Sequence, residues 1–250
     1  MPKRKTSPEE WREYRHDNGE ILSFRFIRSA RKTLALHVHR DGSVLVRAPL
    51  RVSLSYVFLF IRERWAWLET QRSRFLEEPA ATPFEYKDGE VFLHMGEHLL
   101  LRIDVAARNH ARLVDNELLV SITPECMVQP GGIQGVVVLW QRREAKRIFP
   151  LRLAACYELM RDLQRPFPAL KIRKMRSRWG SCAKDGVITL NLELIKMPLE
   201  CIDYVVTHEL CHLVEFNHSA RFYELQSRYI PDWKVRRQSL ELLARQQYGL

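Results

Sequence analysis

Apolar and polar residues alternate through ILSFRFIRSARKTLALHVHRDGSVLVRAP, from Ile21 to Pro49, on both sides of Asp41-Gly42. A period of two puts every second side chain on one face of a strand, and Asp-Gly tolerates the positive φ that a hairpin turn requires. Two or three strands are expected there. The period then changes. In SLSYVFLFIRERWAWLETQRSRFLEE, Tyr56, Phe60, Trp67 and Leu68 recur at helical spacing behind Ser53 or Ser55 as a cap, which predicts one helix. After the break EPAATPFEYKDG, alternation returns in EVFLHMGEHLLLRIDVA and ARLVDNELLVSIT and predicts further strands. Residues 21–124 thus read as a β-rich N-terminal unit with one helix, preceded by a polar tail over residues 1–20 that is expected to be mobile.

PECMVQPGG, Pro124 to Gly132, has the chemistry of a linker. From residue 133 a long helical pattern begins, expected to kink or divide near Pro150, since proline has no N–H to give the preceding turn. LKIRKMRSRWGSCAKDGVITLNLEL predicts two strands closed by Lys184-Asp185-Gly186, and the remainder is helical. Residues 133–250 therefore form a second, mainly helical domain with a small sheet, and the fold class is α+β. No stretch of sequence repeats another.

Within this second domain, Pro198 suits the first turn of a helix whose apolar residues are Ile202, Val206, Leu210 and Leu213. Successive residues turn by about 100°, so His208 and His212 lie within roughly 40° of each other and can converge on one ion. Glu209 falls inside the apolar arc. A helix built only for packing has no use for a carboxylate there, because an unpaired buried charge is costly. A proton acceptor beside a metal ion does have one.

His218 comes just past the expected helix end. Two helical histidines plus a third from the next turn leave one tetrahedral position open, which is how catalytic zinc is held. Glu215 or Glu224 could supply the third ligand instead, and Ser219 suits the N-cap of a following helix. His94 and His98 flank a hairpin turn and read as solvated; His37 and His39 share a strand face without a third partner. Cys211 points away from the histidine pair, and Cys201 reads as a packed thiol.

Composition narrows the setting. Five cysteines without CxxC spacing exclude a disulfide framework and a four-cysteine zinc site. No apolar run approaches the ~18 residues of a membrane span, and the first twenty residues lack a signal peptide's apolar segment, so a cytoplasmic protein without membrane partners is expected. The net charge of +10 admits a nucleic-acid partner, or arginines that solvate helix faces.

RKMRSRWGSC, GVITLNLEL, YVVTHELCHL, NHSARF and PDWK, in that order, resemble the YgjP-like metallopeptidase domain, a zincin related to the SprT and Wss-like zinc proteases. The likeness is densest over about residues 170–240. It implies Zn2+ held by His208, His212 and His218, Glu209 as the catalytic glutamate, and a sheet segment Arg178-Trp179-Gly180-Ser181-Cys182 beside the active-site helix that contacts substrate. Metzincins share the ligand spacing but have glycine where Glu215 stands; Asn217 could take the left-handed conformation in its place. The expectation is a zinc-dependent hydrolase of peptide or protein substrates. Its rivals are a protease acting on DNA-associated protein and a non-catalytic, zinc-stabilised binding module.

Overall fold

The computed structural model describes residues 7–39, 41–77 and 84–248. Two compact units separate, Met1–Thr82 with Tyr248–Leu250 and Pro83–Gln247. The architecture is α+β.

In the first unit four strands, β1 (Glu10–Arg15), β2 (Ile21–Ser29), β3 (Ala35–Val38) and β4 (Val44–Pro49), form a sheet in the order β1-β2-β4-β3. The central β2-β4 pair is parallel and the outer pairs are antiparallel. Alternation in β2 buries Leu22, Phe24 and Phe26. These meet two helices, α1 (Leu54–Glu63), capped by Ser53, and α2 (Trp65–Glu77).

The expected mobile tail is corrected, because residues 10–15 pair in full register with β2, from Glu10↔Phe26 to Arg15↔Ile21. An edge strand can be polar almost throughout if its backbone is paired, and Tyr14 is its one buried side chain. The single expected helix is two, broken at Arg64. Its buried stripe runs through Val57, Ile61, Trp65 and Leu68, whereas Tyr56 and Trp67 are about half exposed.

The second unit opens with β5 (Val91–His94), β6 (Glu97–Val105), β7 (His110–Val114) and β8 (Glu117–Ile122), in the order β5-β6-β8-β7. Residues 124–132, expected as linker, hold a one-turn helix, α3 (Pro124–Met127), capped by Thr123. α4 (Gly132–Leu159) then places Val136, Val137 and Trp140 against Phe92, Leu101, Leu118 and Val120 of the sheet. That burial explains why these strands belong with the helices rather than in a β-rich unit ending near residue 124.

α4 also runs unbroken through Pro150. The carbonyl of Lys146 loses its intrahelical donor there, but both residues face water, which can replace the bond.

Three strands rather than two come next: β9 (Leu170–Arg173), β10 (Gly180–Cys182) and β11 (Ile188–Asn191), ordered β10-β11-β9, with β10 on an edge. β9 is parallel to β11, so its partner lies across the intervening loop, where a hairpin pattern gives no sign of it. A 3-10 turn, Leu192–Lys196, leads into α5 (Leu199–Cys211), followed by α6 (Ala220–Tyr229) and α7 (Trp233–Tyr248). α5 is anchored to α4 by two parallel bonds from the Arg152 guanidinium to the Asp203 carboxylate, 2.7 and 2.6 Å. No described helix is long and apolar enough to cross a membrane.

Candidate metal centre and cleft

α5 carries His208 and Glu209 and ends at Cys211, with His212 as its C-cap. The chain then reverses. The Glu215 N–H returns to the Cys211 carbonyl, and the Asn217 N–H is accepted by the Glu215 carboxylate at 3.3 Å. Asn217 is therefore not left-handed, contrary to expectation; Glu215's side chain shapes the turn, and positive φ is not needed. His218 comes next, and Ser219 caps α6 by accepting the Phe222 N–H.

The reversal brings His208, His212 and His218 together, their candidate ligand atoms all within 4.8 Å of one another. Neither Glu215 nor Glu224 joins this cluster. Phe222, fully buried on α6, lies 4.6–4.9 Å from all three rings and limits how they can rotate.

Hydrogen bonds fix the ring chemistry. Nδ1 of His212 lies 2.9 Å from the Glu215 carbonyl oxygen, and Nδ1 of His208 lies 2.8 Å from Oε1 of Gln226. Both partners only accept, so each Nδ1 carries the hydrogen and each Nε2 keeps a lone pair. Burial pushes His208 down to about 4, against the raising effect of Gln226, and lowers His212 as well, against the raising effect of the Glu215 carbonyl. At neutral pH these imidazoles are neutral donors.

Nε2 of His208 and of His218 stand 3.0 Å apart. A cation held by both nitrogens would take the place of that contact. Two zinc–nitrogen bonds of about 2.0–2.1 Å at a tetrahedral angle separate the nitrogens by about 3.3 Å, close to that spacing. The donor set thus fits a borderline-soft divalent ion.

Glu209 is 5% exposed, on the side of α5 that faces β10. A Cβ built on Gly180 would lie 2.5 Å from its Oε1, so only glycine lets this carboxylate rest against the strand. Burial pushes Glu209 up to about 8, while the Arg178 guanidinium and the Cys182 backbone hydrogen bond pull it down.

A cleft of about 550 Å³ opens over these groups. Every residue of the expected segment Arg178-Trp179-Gly180-Ser181-Cys182 lines it, together with the three histidines, Glu209 and Tyr204. Asn191 holds the loop into β10, donating to the carbonyls of Met175 (3.0 Å) and Arg178 (2.9 Å) and accepting from the Met175 N–H.

Two orienting residues escape sequence reading. Asn191 reads as one more residue of an alternating strand. Gln226, fully buried, leaves a weak signal, an amide four residues after Phe222 on the apolar face of α6. The remaining candidates part company: His94 is buried rather than solvated, His37 and His39 are exposed at and just past the end of β3, and Cys201 and Cys211 are fully buried thiols.

Comparison with known proteins identifies the family. Two solved structures are similar in part: the metallopeptidase zymogen of Pyrococcus abyssi abylysin, at 21% identity over 39% of this chain and 92% of that one with a TM-score of 0.34, and the metallopeptidase zymogen of Methanocaldococcus jannaschii jannalysin, at 19% identity over 36% and 85% with a TM-score of 0.31. Among curated proteins nothing matches. The sequence pattern of the YgjP-like metallopeptidase domain matches residues 32–242. Spanning most of the chain, that match makes this protein a member of the YgjP-like metallopeptidase domain family, an enzyme of the metal-dependent peptidase class.

Proposed function

We propose that the protein is a zinc peptidase in which His208, His212 and His218 hold the ion and Glu209 moves the proton. The observation that carries this reading is the convergence of three imidazoles beside a carboxyl group buried against the edge strand. Zinc bound there supplies Lewis acidity, lowering the pKa of water and polarising a scissile carbonyl.

The chain's own residues do the rest. Gln226 and the Glu215 carbonyl hold two rings in the tautomer that donates from Nε2, as groups behind metal ligands do elsewhere. Burial pushes Glu209 up to about 8, and the charge of a divalent ion beside it would favour the carboxylate, the form that accepts a proton from the attacking water and passes it to the amine leaving group. β10 leaves a backbone edge along which an extended peptide can pair, and its loop is held by Asn191. A purely structural zinc site has no need of Glu209's costly burial, which disfavours the non-catalytic module.

Zinc analysis and peptide hydrolysis of the wild type and of Glu209→Gln test this. About one zinc per chain is expected in both, with hydrolysis by the variant down roughly 10²–10⁴-fold. A variant that keeps full zinc and full activity removes Glu209 from the mechanism.

A further inference from the structure

Beside the catalytic cleft lies a second cavity of about 280 Å³, and Phe216, in the reversal between His212 and His218, lines both. Phe167, Val187, Leu213 and Phe216 form its apolar part, and the exposed Arg165 lines its rim. Lys184 and Asp185, of opposite sign, are exposed among its lining residues.

Phe167 is 55% exposed and Phe216 49%. Exposed phenylalanines cost little singly, but Phe167 is held in place. Pro166 and Pro168 flank it, and proline both fixes its own φ and restricts the residue before it. The Tyr157 hydroxyl donates to the Arg165 carbonyl, and the Tyr157 ring meets Phe167 edge-on at 5.0 Å. An aromatic wall ordered before anything binds loses little entropy when it is covered.

β10 connects the two cavities. It starts at Gly180, against Glu209, and leads into the Ala183–Val187 turn that forms one side of the second cavity. At about 3.4 Å per residue, the three steps from Gly180 to Ala183 cover roughly 10 Å. A peptide paired along β10 with its scissile bond at Glu209 therefore reaches this cavity about three residues away. We infer that the cavity beneath Phe216 is a specificity subsite for an aromatic or large aliphatic side chain of the substrate, about three residues from the bond that is cut. The inference rests on the peptidase reading and adds to it a class of substrate.

Peptide libraries randomised around the scissile bond test it with the purified full chain. The wild type is expected to favour Phe, Tyr or Leu over Gly and Asp by roughly 10–100-fold in kcat/KM at one position two to four residues from the cut. Phe167→Ala is expected to shrink that ratio to within about threefold, and Phe167→Leu to restore most of it. Cleavage with no apolar preference at those positions, or with a preference that Phe167→Ala leaves intact, overturns the subsite while leaving the peptidase reading standing. Fluorescence anisotropy of the same labelled peptides on Glu209→Gln separates the reverse case. Apolar-selective binding that Phe167→Ala abolishes supports the subsite even if no peptide turns over, and absence of both cleavage and selective binding overturns it.

Discussion

The two four-stranded sheets have the same topology in sequences that show no repeat. β1-β2-β4-β3 and β5-β6-β8-β7 each place a parallel pair at the centre between two antiparallel pairs. Each is followed by a capped helix, at Ser53 and at Thr123. In each, a histidine at the end of the first strand meets a helical tryptophan, His16 on Trp65 at 4.1 Å and His94 on Trp140 at 4.7 Å. The difference lies at the first turn. A Cβ on Gly19, between β1 and β2, would meet nothing within 4 Å; one on Gly96, between β5 and β6, would lie 2.8 Å from Pro198, the N-cap of the helix that carries His208 and Glu209. Backbone bonds of 2.9 Å from Met95 to the Ile195 carbonyl and from Gly96 to the Lys196 carbonyl complete the contact. One architecture thus serves twice, and the second copy is built into the seat of the helix that carries His208 and Glu209.

The sharpest way to break that comparison is to put alanine at each turn glycine. Both have similar left-handed φ, +91° at Gly19 and +87° at Gly96, so the conformational strain of about 1–2 kcal/mol is common to both. Gly96→Ala must in addition displace Pro198, which adds roughly 1–3 kcal/mol of overpacking. Denaturant unfolding is expected to show a loss of about 2–5 kcal/mol for Gly96→Ala against about 1–2 kcal/mol for Gly19→Ala. Equal losses would mean that the β5-β6 turn does not support α5.

The repeated topology is illegible in the sequence for a physical reason. A sheet asks only that alternate residues be apolar, and Leu22-Phe24-Phe26 meets that demand as well as Leu99-Leu101 does. β1 escapes the pattern because a paired edge strand can remain polar, and β9 because its parallel partner is distant in sequence. The site is far more legible. Imidazoles four residues apart on a helix, and a carboxylate in an apolar arc, are chemically odd choices that periodicity exposes at once. Gln226, Asn191 and the buried His94 stay hidden, since each becomes meaningful only through neighbours that folding supplies.

His94 offers the next test. It is 5% exposed, its Nδ1 has no hydrogen-bond partner, and burial lowers it to about 4 from an ordinary 6.5, with Glu144 raising it and Arg147 lowering it. Above pH 6.5 the ring is neutral in both the folded and the unfolded chain. As pH falls from 6.5 towards 4, the unfolded chain binds a proton that the folded chain refuses, so stability declines by up to about 1.4 kcal/mol per pH unit, and by about 2–3 kcal/mol over the window. Between about pH 7 and 4, measured with chelator, the wild type is expected to lose about 2–3 kcal/mol more unfolding free energy than His94→Leu. Parallel profiles would show that the ring is not buried neutral in the docked turn.

The smallest expected effect asks whether the two modules also match at their helix entries. Ser53 accepts the Tyr56 N–H at 3.3 Å, and Thr123 accepts the Cys126 N–H at 3.3 Å. Replacing such a cap by alanine costs about 1 kcal/mol. The cost at Thr123 is expected to be lower, because Pro124 at the first helical position has no N–H to satisfy and already holds a helical φ. Against this, α3 leans on the start of α4: a Cβ on Gly132 would lie 1.9 Å from the Cys126 carbonyl oxygen. Ser53→Ala losing about 1 kcal/mol and Thr123→Ala losing less, with Thr123→Ser close to wild type, fits two helices each capped independently of its C-terminal neighbour. A Thr123→Ala loss well above that of Ser53→Ala would mean that the single turn of α3 fixes where α4 begins, and the second module would then differ from the first at its helix entry as well as at its docked turn.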